Sequence, residues 1–415
     1  SPKKFYLYLK LMTVIINKEL NIDSKHVLYI LSCLKEDHHE SRLIGGCVRD
    51  ALINRCNSDI DIATTLTSDL VINKLVSHGI KTIPTGVKFG TVSAFYRSEK
   101  FEITTLRKDF NYDGRYPQVM FTKSFLEDAQ RRDFTINALS YCPFKKQIYD
   151  YFGGIEDLNS FKVTFIGKPV ARISEDFLRI MRFFRFSCIY AKLIDSKSLT
   201  ACIKLKHGLK NLSHERIRQE LDKILRHKGC DSILQLMHDN NILQVITPIT
   251  YFAGGVLCKA NSFAKEYQIE LNLLTKYALI FYSIEGLTIQ QLIRIKFSRR
   301  ESIIIYDMIF FLKHLNDYNY EFMLRKLWLD KENFLEYIIG AASLNKLNNN
   351  HAKEFVSRVT RHAKPIFPIN GNDLLIKNVD GKKIGEILNL LKDTWIASNF
   401  QLSREQLNKR IPDFI

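Results

Sequence analysis

Several signatures are missing from this chain, and each absence closes off a class of protein. Its eight cysteines (Cys33, Cys47, Cys56, Cys142, Cys188, Cys202, Cys230 and Cys258) include no Cys-x-x-Cys pair. That argues against zinc ribbons and a disulfide framework, and it fits a reducing intracellular compartment. No apolar run reaches membrane-spanning length. Neither G-x-x-x-x-G-K followed by Ser or Thr, nor G-x-G-x-x-G, stands in a strand–turn–helix setting, so P-loop and Rossmann nucleotide enzymes are set aside. There is no convincing internal repeat. Acid is scarce relative to base: 44 Asp+Glu face 61 Lys+Arg, a formal charge of +17. An excess of that size points to a polyanionic partner, commonly nucleic acid, although a Lys-rich surface that binds nothing has the same composition.

What is present divides in two. At 415 residues the chain has room for two to four domains. Up to about residue 155 short β-like runs alternate with helical patterns. Val92–Tyr96 and Phe101–Leu106 read as strands, bounded by turn signals such as Gly86 and Ser98. After Gly153-Gly154, and from about residue 170 to the end, apolar residues recur at three- and four-residue spacing, which predicts helix almost throughout. Asn345 and Asn348–Asn350 read as a loop and a late domain boundary. Ser1–Leu11 reads as a processed or trimmed leader, with Met12 an equally good start.

Three motifs carry chemistry. In the first, Gly45-Gly46-Cys47-Val48-Arg49-Asp50 is followed by Asp59-Ile60-Asp61-Ile62-Ala63, which reads as a strand. Side chains alternate along a strand, so both aspartates face one side and suit a hard divalent cation, and the Gly-Gly-Arg element suits a phosphate. Glu102, on a strand two positions before Thr104, could join them, as three carboxylates would match a two-metal nucleotidyl-transfer centre. A solvated edge strand is the competing reading. In the second motif, Arg131-Arg132-Asp133 through Asn137 and Ala138 reads as the start of a helix or a strand-to-helix turn. Adjacent arginines can grip triphosphate oxygens, while Asp133 and Asn137, one turn apart, could order them or accept a ribose hydroxyl. In the third, Ser174 reads as the N-cap of a helix carrying Asp176, Arg179, Arg182 and Arg185 every three residues. At ~100° per residue these four fan across half the helix surface. Asp176 and Arg179 can meet one ligand and hydrogen-bond the edge of a base, while Arg185 faces a flanking group. The competing reading is a surface ladder of ion pairs. Lys204 to Lys228 is the densest basic region, a track for an RNA backbone.

Taken in order, these motifs resemble those of the class II tRNA nucleotidyltransferases, the CCA-adding enzymes, and of the related bacterial poly(A) polymerases. Gly45–Asp50 with Asp59 and Asp61 resembles the metal motif, and Lys81–Val92 the following head segment. Phe101–Arg107 carries the third acidic position, Arg131–Ala138 resembles the ribose and triphosphate motif, and Asp150–Leu158 the hinge. Glu175–Arg179 is similar to the amino-acid template for CTP and ATP, Ser213–Leu221 to the close of the neck, and Ile369–Leu375 with Gly381 and Ile384-Gly385 to the tail.

The resemblance implies an α+β fold: a nucleotidyltransferase head of mixed β-sheet (1–155), then an all-α neck (156–228), body (229–330) and tail (331–415). It implies template-independent, Mg²⁺-dependent addition of CCA to tRNA from CTP and ATP at a two-metal site. Asp59 and Asp61 would bind Mg²⁺, and Glu102 would help activate the primer hydroxyl. Gly46, Arg49, Arg132, Asp133 and Asn137 would hold the nucleotide. Asp176 and Arg179 would read the base, and Arg182 and Arg185 would complete the pocket. Arg107–Pro117, with Asp113, Gly114 and Arg115, resembles the flexible loop that permits A addition, favouring CCA over CC-only addition. Poly(A) synthesis and a catalytically silent RNA-binding relative are rival readings, and the intact acidic set argues against the silent one. The expected partners are tRNA and nucleotides, not a membrane. The expected protein is a monomer or weak dimer of the bacterial cytoplasm, with the mitochondrion as the second compartment that fits.

Overall fold

The strands of the first part are short; Glu99–Thr105 alternates in burial, while the central Ser41–Ile44, Ile60–Thr64, Ser140–Cys142 and Gln147–Asp150 are buried over consecutive residues. The computed structural model describes residues 14–55, 59–86, 89–110, 118–249, 251–315, 320–330, 332–361, 363–376, 381 and 383–414. Its strands are β1 (Val14–Asn17), β2 (Ser41–Ile44), β3 (Ile60–Thr64), β4 (Lys81–Gly86) and β5 (Thr91–Tyr96), then β6 (Glu99–Thr105), β7 (Arg107–Phe110), β8 (Gln118–Phe121), β9 (Ser140–Cys142) and β10 (Gln147–Asp150). Eight of them form one mixed sheet in the order β1-β10-β9-β2-β3-β6-β5-β4, and β7 and β8 pair separately.

The pairing that matters most is β3 with β6. It is parallel, and it sets Asp61 opposite Glu102 and Ala63 opposite Thr104. A parallel pair needs a crossover, here supplied by the helix Ser68–Ser77 and the β4–β5 hairpin. β5 and β6 are joined by a two-residue turn at Arg97 and Ser98, both with positive φ (50° and 68°), the conformation that matches the twist of an antiparallel hairpin. Ile62, Phe101, Ile103, Leu43 and Tyr141 point to one face and are fully buried with Val27, Ile30, Leu31, Val48, Val71 and Leu75 from the helices Lys25–Cys33, Gly46–Leu52 and Ser68–Ser77. Alternation therefore turns Asp61 and Glu102 to the other face.

After β10 the described chain is helical. The chain forms two compact units, residues 1–224 with 240–246, and residues 225–239 with 247–415. In the first unit the helix Leu178–Tyr190 buries Ile180, Met181, Phe183, Phe184 and Phe186. In the second, the helices include Leu273–Phe281 and Phe334–Ser343, both mostly buried. A separate apolar cluster there gathers Leu374, Leu391, Trp395, Ile396 and Leu407.

Three local readings need correction. Ser174 is not an N-cap: it lies inside the helix Pro169–Glu175, where its hydroxyl donates to the Val170 carbonyl at 2.9 Å. The helix stops at Asp176, which is extended (φ −154°), and a new one starts at Leu178, whose N–H is accepted by Asp176 Oδ1 at 3.1 Å. Arg131–Ala138 begins no α-helix either; it is an irregular turn closed by a 3₁₀ segment, Thr135–Asn137. Of the Asn-rich loop, Asn345 and Asn348 do lie between the helices Phe334–Ser343 and Asn349–Thr360. Asn349 and Asn350, however, belong to the second helix, which Asn348 caps, its Oδ1 accepting the Asn350 N–H at 2.9 Å.

Candidate active site

The open face of the sheet carries a pocket of about 200 Å³. Its floor is Ile44, Asp61, Ala63, Thr91 and Thr104; its wall is Arg107, Asp128, Arg131 and Arg132. Acid thus stands on one side and a row of guanidiniums on the other.

On the acidic side, Asp61 lies on β3 and Asp59 on the exposed residue just before the strand begins. The Asp61 carboxyl is pushed up to about 6, first by burial, then by the nearby Glu102 and Asp59 charges, with Arg132 pulling the other way. Glu102 is half-exposed, and its Oε1 takes the Lys100 ammonium at 2.5 Å. No three His, Cys, Asp or Glu side chains among the described residues are already grouped to hold a metal ion. Asp59 and Glu102 nevertheless both stand close enough to act on the Asp61 charge, and Lys100 neutralises Glu102 locally. The donor chemistry of Asp59 and Asp61 still fits a hard divalent cation. Both offer carboxylate oxygen, and Asp61 has the Glu102 and Asp59 charges close by.

On the basic side the organiser is Asp128, a residue absent from the sequence-derived set. It is buried on the helix Phe125–Gln130. Its Oδ1 accepts from Arg131 Nη2 at 2.8 Å and Nε at 3.0 Å, while Oδ2 accepts from Arg132 Nη2 at 3.1 Å. Burial works to raise the Asp128 carboxyl, but the two arginines outweigh it and hold it low. The signal was available: Asp128 stands three and four residues before Arg131 and Arg132, the spacing at which helix side chains meet. Arg132 also donates through Nη1 to the Asn137 carbonyl at 3.3 Å.

The glycine turn is tight for a visible reason. Gly45 has φ +67°, and a Cβ there would lie 3.2 Å from Arg132 Nη1. Gly46 opens the short helix that carries Arg49. Arg49 is buried, with Nη1 on Asn137 Oδ1 at 2.5 Å and both Nε and Nη2 on the Asp50 carboxylate at 2.9 and 3.0 Å. Asn137 in turn donates to Asp133 Oδ1 at 3.0 Å, and Asp133 Oδ2 accepts Arg182 Nε at 2.6 Å. Asp133 and Asn137 do meet, as their spacing suggested, but through a 3₁₀ turn.

Asp176 and Arg179 are adjacent, the Arg179 backbone N–H donating to the Asp176 carbonyl at 3.0 Å, but each side chain has another partner. Asp176 Oδ2 accepts from Arg216 at 2.8 Å. Arg179 donates to the carbonyls of Arg172 and Arg131, at 2.8 and 3.0 Å, and pairs with Glu175. Arg185 Nε lies 2.9 Å from Glu220 Oε2, though off the line of a hydrogen bond. Its guanidinium is held below the usual arginine range by burial and by Arg182 and Arg49 nearby. Asp113, Gly114 and Arg115 lie outside the described residues.

Comparison with known proteins places this arrangement in context. Residues 41–164 match the model of the poly A polymerase head domain, and residues 193–252 match that of the probable RNA and SrmB-binding site of polymerase A. The mitochondrial CCA tRNA nucleotidyltransferase 1 of Homo sapiens is 32% identical over 393 residues, covering 90% of this chain and 86% of the relative. The CCA-adding enzyme of Anoxybacillus flavithermus is 35% identical over 225 residues, covering 54% of this chain and 55% of the relative. The crystal structure of the Bacillus stearothermophilus CCA-adding enzyme in complex with CTP superposes with a TM-score of 0.74 at 22% identity, covering 93% of this chain and 96% of that one.

Proposed function

The chain belongs to the CCA-adding tRNA nucleotidyltransferase family, and from that premise we propose that it adds CCA to the 3′ end of tRNA, using CTP and ATP and no nucleic-acid template. The observation that carries this reading is the pocket with Asp61 on its floor and Arg107, Arg131 and Arg132 on its wall. Carboxylates there suit a cation, and arginines suit the phosphates it accompanies.

The roles follow from the chemistry of the side chains. Arg131 and Arg132, held by Asp128, would grip the triphosphate, with Gly46 and Arg49 shaping the turn beside them. Asp59 and Asp61 would hold the divalent cation that this family's chemistry uses, which we take to be Mg²⁺ at a two-metal site. When bound, it would neutralise phosphate charge and favour ionisation of the attacking hydroxyl. Glu102 would sit beside the tRNA 3′-hydroxyl. That oxygen bonds to the α-phosphorus, the bond to the β-phosphate breaks, and pyrophosphate leaves. Asp133 and Asn137 would order the arginines, Asp176 and Arg179 would read the base, and Arg182 and Arg185 would flank it. For Asp176 and Arg179 to act on one base they must first exchange Arg216 and Glu175 for the ligand.

The segments assigned are a head over 1–155, a neck over 156–228, a body over 229–330 and a tail over 331–415, the last two holding tRNA. The relatives named above are bacterial and mitochondrial. The bacterial cytoplasm is the compartment we assign, ahead of the mitochondrion, and a monomer or weak dimer is the working form. No described helix is long and apolar enough to cross a membrane.

The test offers labelled CTP or ATP to tRNA ending before CCA, after C, or after CC. Incorporation of two C and then one A is expected. No incorporation on any of the three tRNAs would refute the transferase reading, C without A would reduce it to CC addition, and long A tails would make it a poly(A) polymerase. Chelation by EDTA should abolish incorporation and Mg²⁺ should restore it, while Asp59→Ala should lose activity without losing tRNA binding.

A further inference from the structure

Six side chains around the helix Leu178–Tyr190 form a closed polar ring. From Asp50 it runs to Arg49 (2.9 and 3.0 Å), then to Asn137 (2.5 Å), Asp133 (3.0 Å) and Arg182 (2.6 Å). It then passes along the helix to Tyr190, whose hydroxyl donates back to Asp50 Oδ1 at 2.6 Å. Arg182 and Tyr190 are eight residues apart, about 12 Å along a helix axis. The helix is therefore gripped at two points by two carboxylates that Arg49 and Asn137 bridge.

The space inside the ring is filled. Phe186, midway along that face, stacks on Tyr190 with centroids 6.0 Å apart and lies under Arg49 (5.2 Å), Arg182 (5.3 Å) and Arg185 (4.3 Å). Arg49 also covers the Tyr190 ring at 4.3 Å. A third grip lies beside the ring: Arg55, whose guanidinium stands 5.2 Å from the Tyr190 ring centroid, donates to the Ile189 carbonyl at 3.3 Å, a cation at a helix C-terminus. Burial and the Asp50 contact push the Tyr190 hydroxyl up to about 12, so it stays protonated and can only close the ring as a donor to Asp50.

We propose that Tyr190 and Asp50 are positioning residues for nucleotide selection, which fix the register of the helix Leu178–Tyr190 and so aim Arg182 and its neighbours at the incoming base. The proposal rests on the reading above that this helix flanks the base, and it adds two residues outside the base-reading pair. The ring joins the segment carrying the glycine turn to the helix carrying the arginines. The Tyr190–Asp50 contact fixes the far end of the helix, eight residues from the grip that Asp133 makes on Arg182.

Tyr190→Phe is the deciding variant. It deletes the hydroxyl, keeps the ring under Arg49, and leaves every charge in place. Isothermal titration of the full chain with CTP, ATP and GTP, each with MgCl₂, is expected to show CTP and ATP binding about tenfold weaker. GTP binding should be unchanged and Tm nearly so, so that discrimination narrows. Asp50→Asn should do the same more strongly; if it fails to fold, Tyr190→Phe decides alone. Unchanged CTP and ATP affinities in Tyr190→Phe, or equal loss for all three nucleotides, would overturn the proposal. Transfer to tRNA by the wild type is scored on the same preparation. Its absence counts against the proposed function alone, because the titrations read the positioning role without it.

Discussion

Asp128 gives one carboxylate to two guanidiniums and so holds Arg131 and Arg132 side by side in the pocket wall. Asp128→Asn should therefore cost about 3 kcal/mol in urea unfolding, because it leaves two partly buried cations uncompensated. It should raise the KM for nucleotide at least tenfold. Asp133 makes the pH prediction. Burial alone would raise its carboxyl, but Arg182, Asn137 and the Phe134 N–H hold it down at about 2, against an ordinary 3.8. A depressed carboxyl stabilises the fold above its unfolded value and loses that contribution as pH falls through the folded one. Stability should thus drop by about 2 kcal/mol between pH 4 and pH 2. Asp133→Asn should flatten that part of a plot of urea midpoint against pH. The aspartates and arginines of the site were legible as residues. Their partners were not, since Asp133 and Arg182 stand 49 positions apart and no short-range periodicity connects them.

Elements approach closely at two glycines, against backbone at Gly154 and against the Arg132 side chain at Gly45. Gly154 opens the helix Gly154–Asn159 against the Thr135–Asn137 turn, and a Cβ there would overlap the Thr135 carbonyl. Gly154→Ala should unfold several degrees lower and weaken nucleotide binding, because the turn it pushes carries Asn137. Gly45→Ala should cost about 1–3 kcal/mol from its positive φ alone and should also displace Arg132, which thermal melts and nucleotide titration read separately. The strands over 91–96 and 99–105 were readable from alternation, since each has one packed face. The helix break at Asp176 was not. A Ser followed by two acids is an N-cap pattern, yet Pro169 starts a helix earlier, Ser174 falls inside it, and Asp176 takes the capping task for the next one.

At the scale of the molecule, the two compact units contain different kinds of core. The first is built on a sheet with helices packed on one face, and the second is helical, with its own cluster around Trp395 and Leu391. Trp395 is 3% exposed. Trp395→Ala should destabilise the second unit by about 3–5 kcal/mol. Limited proteolysis should then cut first between residues 363 and 414, while CTP affinity stays within twofold of the wild type. Loss of CTP binding would mean that the nucleotide site depends on that cluster.

The α+β class, the helical second half, the acidic and basic sets and the family were all readable along the chain, because composition, period and ordered motifs are local properties. Who neutralises whom was settled only by folding. Parallel pairing of β3 and β6 set Asp61 beside Glu102. The folded chain gave Glu102 to Lys100, Arg49 to Asp50 and Asn137, and Asp176 to Arg216. Ion pairing depends on distance in space and on burial, and neither is written in the order of residues.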